Sequence, residues 1–355
     1  MMKKSFLVLM LLFSLTLPFF AGCSGNQDAD VHVFYYSYSD TYISSVRTAL
    51  DKQLQNAGIS YQDYDGNGSQ TTQTEQIRTA VTKGAKAILV NIVNTGSDDA
   101  ANEIATLAKD AGVPLIFFNR EVSDEVIKSY DNCAFVGTRA EEAGILQGEL
   151  IGEYLLANWK AYDLNGDGEI SYVLFKGEEG NNEAIFRTKY SVEEANKKLI
   201  DAGKKPLKFY DSANKNGYLV DKNGQWSATA ANEYMTTALT EYNTSNKNMI
   251  ELVICNNDGM AEGAISALNA VGYNTGGNAP SIPVFGVDAT DAAKSLIANG
   301  QMSGTIKQDA TGMAAALLHL AQNALAERDL MTDTGEFTVD QNVRKLRIHY
   351  EKYVG

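Results

Sequence analysis

Residues 74–118 read TEQIRTAVTKGAKAILVNIVNTGSDDAANEIATLAKDAGVPLIFF, and their pattern decides the fold. Apolar residues in 74–83 recur with a 3.6-residue period and stop at Gly84. A short apolar run follows at 87–93, then a second periodic stretch at 100–111, then Gly112 and the run 114–118. The periodic stretches predict amphipathic helices, and the short apolar runs between turn signals predict buried strands. Glycine just past each helix suits a left-handed terminating position. Helices and buried strands in alternation mean a parallel sheet covered on both faces, with right-handed crossovers.

The same alternation extends in both directions. Further strands are expected at 31–36, 134–137, 171–175, 251–255 and 283–287. Further helices are expected at 42–57, 140–157, 189–202, 229–242, 260–271 and 289–298. One set ends near Gly137 and another begins with the helix at 140, with no sequence period that would mark a repeat array. The expected architecture is α/β, two doubly wound parallel-sheet lobes facing one another across a cleft. Ligands of such sheets bind beyond the carboxyl ends of the strands.

Composition agrees with two lobes and narrows the function. The chain has 355 residues, 44% of them hydrophobic, with 30 Lys+Arg against 44 Asp+Glu and a net charge of −14. An acidic balance argues against nucleic acid and against a polybasic membrane surface. The first residues are a separate signal: Lys3 and Lys4, then an apolar run over 6–20, then Ala21, Gly22 and Cys23. The run is too short to span a membrane with confidence. Small residues before a cysteine match a bacterial lipobox, with Phe20 where Leu is usual. Residues 1–22 are therefore expected to be a lipoprotein signal peptide, Cys23 the lipid anchor and 23–30 a tether. The protein would then be extracytoplasmic and lipid-anchored to the cell membrane. An ordinary signal peptide with Cys23 incidental is the alternative. Cys133 and Cys255 are expected to be buried free thiols.

The strand ends carry one kind of chemistry. Tyr36, Tyr38, Asp40 and Tyr42 follow the first strand, and Asn119, Arg120 and Glu121 follow the strand at 114–118. Asn181, Glu183 and Arg187 follow 171–175, Asn256, Asn257 and Asp258 follow 251–255, Asp288 follows 283–287, and Gln308 and Asp309 stand farther on. These planar donors and acceptors suit a ligand rich in hydroxyls. Tyr42 and Trp226 could pack on its apolar faces. Taken singly, Asp40, Asp258 and Asp288 could equally be helix caps. No nucleophile elbow, zinc helix or histidine cluster competes, although two carboxylates alone would suffice for a glycosidase.

A second motif lies at 163–171, DLNGDGEIS. Asp163, Asn165 and Asp167 take positions 1, 3 and 5 of an EF-hand loop, with Gly168 at 6 and an apolar Ile170 at 8. Glu169 would give its carbonyl and Ser171 its hydroxyl. The bidentate glutamate due at position 12 is replaced by Leu174. A plain Asp/Asn/Gly turn is the alternative.

The segments YSYSDTYISSVRTAL, GVPLIFFNREVS, YDNCAFVGTRAEEAGILQG, DLNGDGEISYVLFKGEEG, IELVICNNDGMAEGAISAL and SIPVFGVDA together resemble the bacterial galactose/glucose-binding proteins. These are solute-binding components of ABC sugar importers with the type I periplasmic-binding fold. The resemblance runs from Val31 to the C-terminus. It implies a non-enzymatic sugar site at Tyr36, Asp40, Tyr42, Asn119, Arg120, Asn181, Glu183, Arg187, Trp226, Asn257, Asp288 and Gln308. Tyr42, Arg120, Asn181, Glu183 and Gln308 differ from the family's residues there. It also supplies the missing calcium ligand as Glu251, giving a structural Ca2+ site with Asp163, Asn165, Asp167, Glu169 and Ser171. The stretch 210–225 is longer than in the family and is expected at the cleft edge. The implied lobes are 31–137 with 309–347 and 138–308 with 348–355, joined by a three-segment hinge that closes on the sugar. The implied partners are a monosaccharide, an ABC permease and a chemoreceptor, with no nucleic acid. Other readings are a binding protein for a pentose or signalling furanose, and a sugar-dependent regulator or receptor sensor of the same fold.

Overall fold

The computed structural model describes residues 29–340 and 342–355. The expected signal peptide, Cys23 and most of the tether lie outside these residues. The first lobe begins with β1 (Val31–Tyr35), α1 (Thr41–Asn56), β2 (Tyr61–Asp65), α2 (Gln70–Thr82) and β3 (Ala87–Val90). It continues with α3 (Asp99–Ala111), β4 (Leu115–Phe118), α4 (Asp124–Lys128) and β5 (Cys133–Gly137). The chain then crosses into α5 (Ala140–Ala157), α6 (Trp159–Tyr162), β6 (Ser171–Lys176), α7 (Asn182–Asp201), β7 (Lys208–Phe209) and β8 (Leu219–Val220). The second lobe goes on through α8 (Ala228–Glu241), β9 (Leu252–Cys255), α9 (Asp258–Ala270), β10 (Val284–Asp288), α10 (Asp291–Ala298) and β11 (Gly304–Gln308). A second crossing returns to the first lobe with α11 (Ala310–Leu325), β12 (Thr338–Asp340) and β13 (Lys345–Arg347), and a third places β14 (Tyr350–Tyr353) in the second.

Both sheets have the same winding. The first runs β12-β13-β5-β4-β3-β1-β2 and the second β14-β11-β10-β9-β6-β7, with β8 also on β6. In the first, β1 sits between β2 and β3, and in the second, β6 sits between β7 and β9, which is the doubly wound order with a switch point beside the first strand of each lobe. Only β12–β13 and β11–β14 are antiparallel among these pairs.

Alternation along the strands divides each lobe into two cores, because successive side chains point to opposite faces. In the first lobe Val31, Val33, Leu89, Ile116 and Val136 pack under α1 and α11, while Phe34, Ile88, Val90, Phe117 and Phe135 pack under α2 and α3. In the second, Val173, Phe175 and Val253 face α8 and α9, and Leu174, Ile254 and Val287 face α5 and α7.

Helices α5 and α7 approach unusually closely. A Cβ at Gly144 would lie 2.5 Å from Phe186 O, and one at Gly148 would lie 2.6 Å from Tyr190 O. Only glycine leaves room for that approach, which seats the start of α7 over the cleft. Here the structure differs from the sequence expectation. The helix expected at 189–202 begins at Asn182, about two turns earlier, so Glu183 and Arg187 stand on a rigid helix rather than a loop.

Candidate functional site

The twelve residues implied for the sugar site, eleven near strand ends together with Trp226, line one cavity between the lobes, with about 370 Å³ of empty volume, while Tyr38, Glu121, Asn256, Asp258 and Asp309 do not line it.

The first lobe's wall starts with Asp40, which caps α1. Its Oδ1 accepts from Ile43 N at 2.8 Å and its Oδ2 accepts the Tyr36 hydroxyl at 2.6 Å. Burial pushes the Tyr36 phenol well above its ordinary range, with the Asp40 charge adding to the shift. Asn119 sits at φ 60, a left-handed position that asparagine tolerates. Asn91, fully buried and absent from the sequence expectation, organises this wall: it accepts from Tyr36 N at 3.2 Å and donates to Asn119 Oδ1 at 3.1 Å. Its place at the end of a strand adjoining the switch point was the available signal. Arg120 stacks its guanidinium 4.2 Å above the Tyr36 ring and donates to Val93 O.

The second lobe contributes three more helix starts. Asn181 caps α7 through Ala184 N, and Asn257 caps α9 through Met260 N at 2.9 Å. Asp258 and Asp288 are not caps: Thr290 caps α10, and Asp258 instead accepts from Thr305 Oγ1 at 2.6 Å and Thr290 N at 2.8 Å. Burial pushes Asp258 up to about 7. Burial likewise drives Asp288 well above the usual carboxylate range, against the pull of the Arg187 guanidinium 3.9 Å away. Trp226 takes a left-handed backbone at φ 55 and lies flat on Gly177, where any Cβ would meet its ring at 2.1 Å. Tyr42 is buried across the same cavity.

The lobes touch around the cavity mouth. Arg120 of the first lobe forms an ion pair with Glu178 of the second. Asn181 Nδ2 donates to Thr95 Oγ1 at 3.3 Å, and Gly180 packs on Gly96, where a Cβ would come within 3.2 Å. The stretch expected at the cleft edge does reach it: Gln225 Nε2 lies 2.8 Å from where a Cβ on Gly68 would stand. These contacts make the structure a closed form. Inside it, Arg120 Nε and Gln308 Nε2 are buried without partners. Two orphaned donors beside the carboxylates of Asp40 and Asp288 are what a ligand carrying both acceptors and donors would satisfy.

The match to known proteins follows this geometry. The family described as periplasmic binding protein domain matches residues 31–329. The chain belongs to the periplasmic binding protein family. Its members are transport binding proteins that work outside the cytoplasm and are not enzymes. The D-galactose/methyl-galactoside binding periplasmic protein of Haemophilus influenzae is 34% identical over 98% of this chain and 96% of its own length. The multiple sugar-binding periplasmic receptor of Rhizobium radiobacter is 29% identical over 82% of this chain and 77% of its own. A solute binding protein of Clostridium phytofermentans with bound β-D-glucose shares the fold at a TM-score of 0.71, with 19% identity over 91% of this chain and 93% of that one. No helix among the described residues of this periplasmic binding protein is long and apolar enough to cross a membrane.

The loop at 163–171 folds with the internal bonds its sequence suggests. Gly168 N donates to Asp163 Oδ2 at 3.0 Å, Asp167 N to Asn165 Oδ1 at 2.9 Å and Glu169 N to Asp167 Oδ1 at 2.8 Å. Glu251, buried, reaches under the loop and accepts from Leu164 N at 2.7 Å and Ser171 N at 2.8 Å. The Ser171 hydroxyl is engaged by Met249 O and Glu251. Among the described residues no three metal-binding side chains converge as a ready cluster. Asp163 Oδ1 is nevertheless buried without a partner, and the loop offers oxygen donors only, the set that calcium takes. Burial pushes the Glu251 carboxyl up, and its backbone hydrogen bonds resist that shift. Cys133 and Cys255 are buried and free.

Proposed function

We propose that this periplasmic binding protein captures a monosaccharide, galactose and glucose first among the candidates, by closing its lobes around it. The observation that carries the reading is the cavity lined from both lobes by the twelve implied site residues, with Arg120 Nε and Gln308 Nε2 left for ligand acceptors. Asp40 and Asp288 would take ligand hydroxyl protons, and Tyr42 and Trp226 would pack on the ring. The sugar would bridge both lobes, so it binds the closed form best and shifts the population toward it. The permease of an ABC importer would read closure, and a chemoreceptor is a second candidate reader. Identity to the galactose-binding relative supports the choice of hexose. Titration calorimetry over a panel of hexoses, pentoses and inositols tests it. Galactose or glucose should bind tightest; a pentose or furanose preference overturns the hexose assignment, and no binding by any sugar overturns the function.

Two further parts complete the reading. A structural calcium ion would be held by Asp163, Asn165, Asp167, the Glu169 carbonyl and Glu251, with Ser171 bracing Glu251. It would pin the loop to the start of β9 and supply no chemistry. Cys23 would carry the lipid that holds the protein at the membrane, which mass spectrometry of the membrane-extracted chain would reveal.

A further inference from the structure

The chain passes between the lobes three times, and each crossing places one side chain on the same ion pair. Thr138 follows β5 at the first crossing, Gln308 ends β11 at the second, and Tyr350 opens β14 at the third. Glu183 and Arg187, one turn apart on α7, pair at 3.1 Å. Thr138 Oγ1 donates to Glu183 Oε1 at 2.8 Å. Arg187 Nη2 donates to Gln308 Oε1 at 3.2 Å and to Tyr350 Oη at 2.8 Å. The Tyr350 hydroxyl lies 3.0 Å from both Glu183 Oε2 and Thr138 Oγ1. All five side chains are more than nine-tenths buried.

This arrangement commits Glu183 differently from its neighbours. A carboxylate has about four acceptor positions. Thr138, Tyr350 and Arg187 are hydrogen-bond or ion-pair partners of Glu183 at once, and only a little capacity is left for a ligand. Glu183, Arg187 and Gln308 line the cavity, whereas Thr138 and Tyr350 do not. The ion pair therefore stands between the ligand space on one side and all three hinge strands on the other. Hinge rotation is absorbed by backbone changes in such crossing segments. Gln308 and Tyr350 pair across the second-lobe sheet beside α7, so rotation at the adjoining crossings strains the bonds to a buried ion pair, most directly the Thr138–Glu183 bond, and such a pair is costly to leave half-paired.

We infer that the Glu183–Arg187 pair is the hinge clasp of this protein, and that Thr138 and Tyr350 are positioning residues for closure that never touch ligand. Occupancy of the cavity acts on Arg187, and through Arg187 and Glu183 on all three crossings together. The affinity part of this inference rests on the monosaccharide reading; the hinge part does not.

The test uses Tyr350→Phe and Thr138→Val, with Thr138→Ser as the variant that keeps the hydroxyl. Without ligand, amide hydrogen exchange is followed at all three crossings. Tyr350→Phe should speed exchange at 138–140 and 308–310 as well as around 350, and Thr138→Val should speed it at 308–310 and 348–350. Thr138→Ser should behave as the unaltered protein. With galactose and with glucose, both disrupting variants should weaken binding about tenfold and by the same factor for each sugar. Exchange raised only next to the substituted residue would overturn the clasp, since that is what local packing damage gives. So would a changed galactose-to-glucose ratio with unchanged exchange, which would mean direct ligand contact. If the unaltered protein binds no monosaccharide, the function falls while the exchange pattern still decides the clasp. Either substitution alone is sufficient should the other fail to fold.

Discussion

Replacing Glu178 with alanine isolates the ion pair that fastens the cavity mouth. Arg120 comes from the first lobe with a side chain 5% exposed, and Glu178 from the second with one 21% exposed. Truncating one partner of a fully buried pair costs about 3–5 kcal/mol, and a charged hydrogen bond is worth about 1.5–3 kcal/mol net. Arg120 keeps its bond to Val93 O at 3.0 Å and its place over the Tyr36 ring. Glu178 also keeps some contact with water. The lower range therefore applies, about 2 kcal/mol. The pair joins the two lobes, so it exists only when they are together, and its loss falls on the closed form alone. At about 1.4 kcal/mol per decade, the Kd for the captured sugar should rise about thirtyfold. Glu178→Gln keeps an acceptor and loses the charge, so it should lie between the alanine variant and the unaltered protein. Calorimetric titration with galactose and glucose at low and high salt measures this, and the gap between the unaltered protein and Glu178→Gln should largely persist in salt because the pair is partly shielded. A Kd within twofold of the unaltered protein in Glu178→Ala would refute the reasoning.

Asp40→Ala should weaken sugar binding by an amount on the order of 1–3 kcal/mol and also lower the melting temperature, since the cap on Ile43 N is lost at a cost of about 1 kcal/mol. Asp40→Asn should restore the melt more than the affinity, and unchanged galactose and glucose affinity in the alanine variant would count against the site. The Asp51–Asp63 pair gives a pH signature: burial pushes Asp63 up to about 7 and raises Asp51. The folded protein then holds protons that the unfolded chain releases near 3.8, so stability is greatest at acid pH and is lost as pH rises through about 7. Urea unfolding between about pH 5 and 8 should show this fall, with a shallower slope in Asp63→Asn, Asp258 still contributing in the same direction. Calcium at a hundred times its Kd should stabilise the protein by about 2.7 kcal/mol; a chelator should lower the melting temperature, and Glu251→Gln should abolish the difference.

The elements that sequence revealed are those whose burial is one-sided or complete. Runs such as AILV and LIFF can only be buried strands between helices. The elements it missed break the pattern for identifiable reasons. β2 reads YQDYD because it is an edge strand, half-buried at most, whose Asp63 meets Asp51 of α1. α11 buries a broad face, including Met313, Leu317, Leu320 and Ala324, and alanines on its other positions blur the contrast between buried and exposed sides, because α1 covers it on one side and the sheet on the other. β13 reads KLR, yet Lys345 and Arg347 are buried: both reach Glu121 Oε1 at 2.8 Å. For the site, strand-end position narrowed the search and the family resemblance picked out the twelve cavity residues: Tyr38, Glu121, Asn256, Asp258 and Asp309 share strand ends without lining the cavity, and Trp226 lines it from a loop. Asn91, Thr138, Glu178 and Tyr350 escaped because they act on other side chains.

The sequence set helix capping against ligand binding as rival uses for the strand-end residues, and the geometry joins them. Asp40, Asn181 and Asn257 each spend one oxygen on the N-terminus of a helix that starts at the cavity. The remaining atom is thereby aimed: Asp40 Oδ2 at Tyr36, Asn181 Nδ2 at Thr95, Asn257 Nδ2 at the Trp226 carbonyl. A cap fixes the side chain before any ligand arrives, which removes part of the ordering cost of binding. It also bounds how the site can vary. Asn, Asp and Ser cap nearly equally well, so exchanges among them at these positions change the donor pattern toward the ligand while keeping the helix start. Asn181→Asp should therefore alter which sugar is preferred with little change in melting temperature, since the Thr95 hydroxyl can turn to donate; Asn257→Asp sets an acceptor against the buried Trp226 carbonyl and should lower the melt as well. Alanine at the same positions should lower both affinity and stability, because it removes the cap that does the aiming.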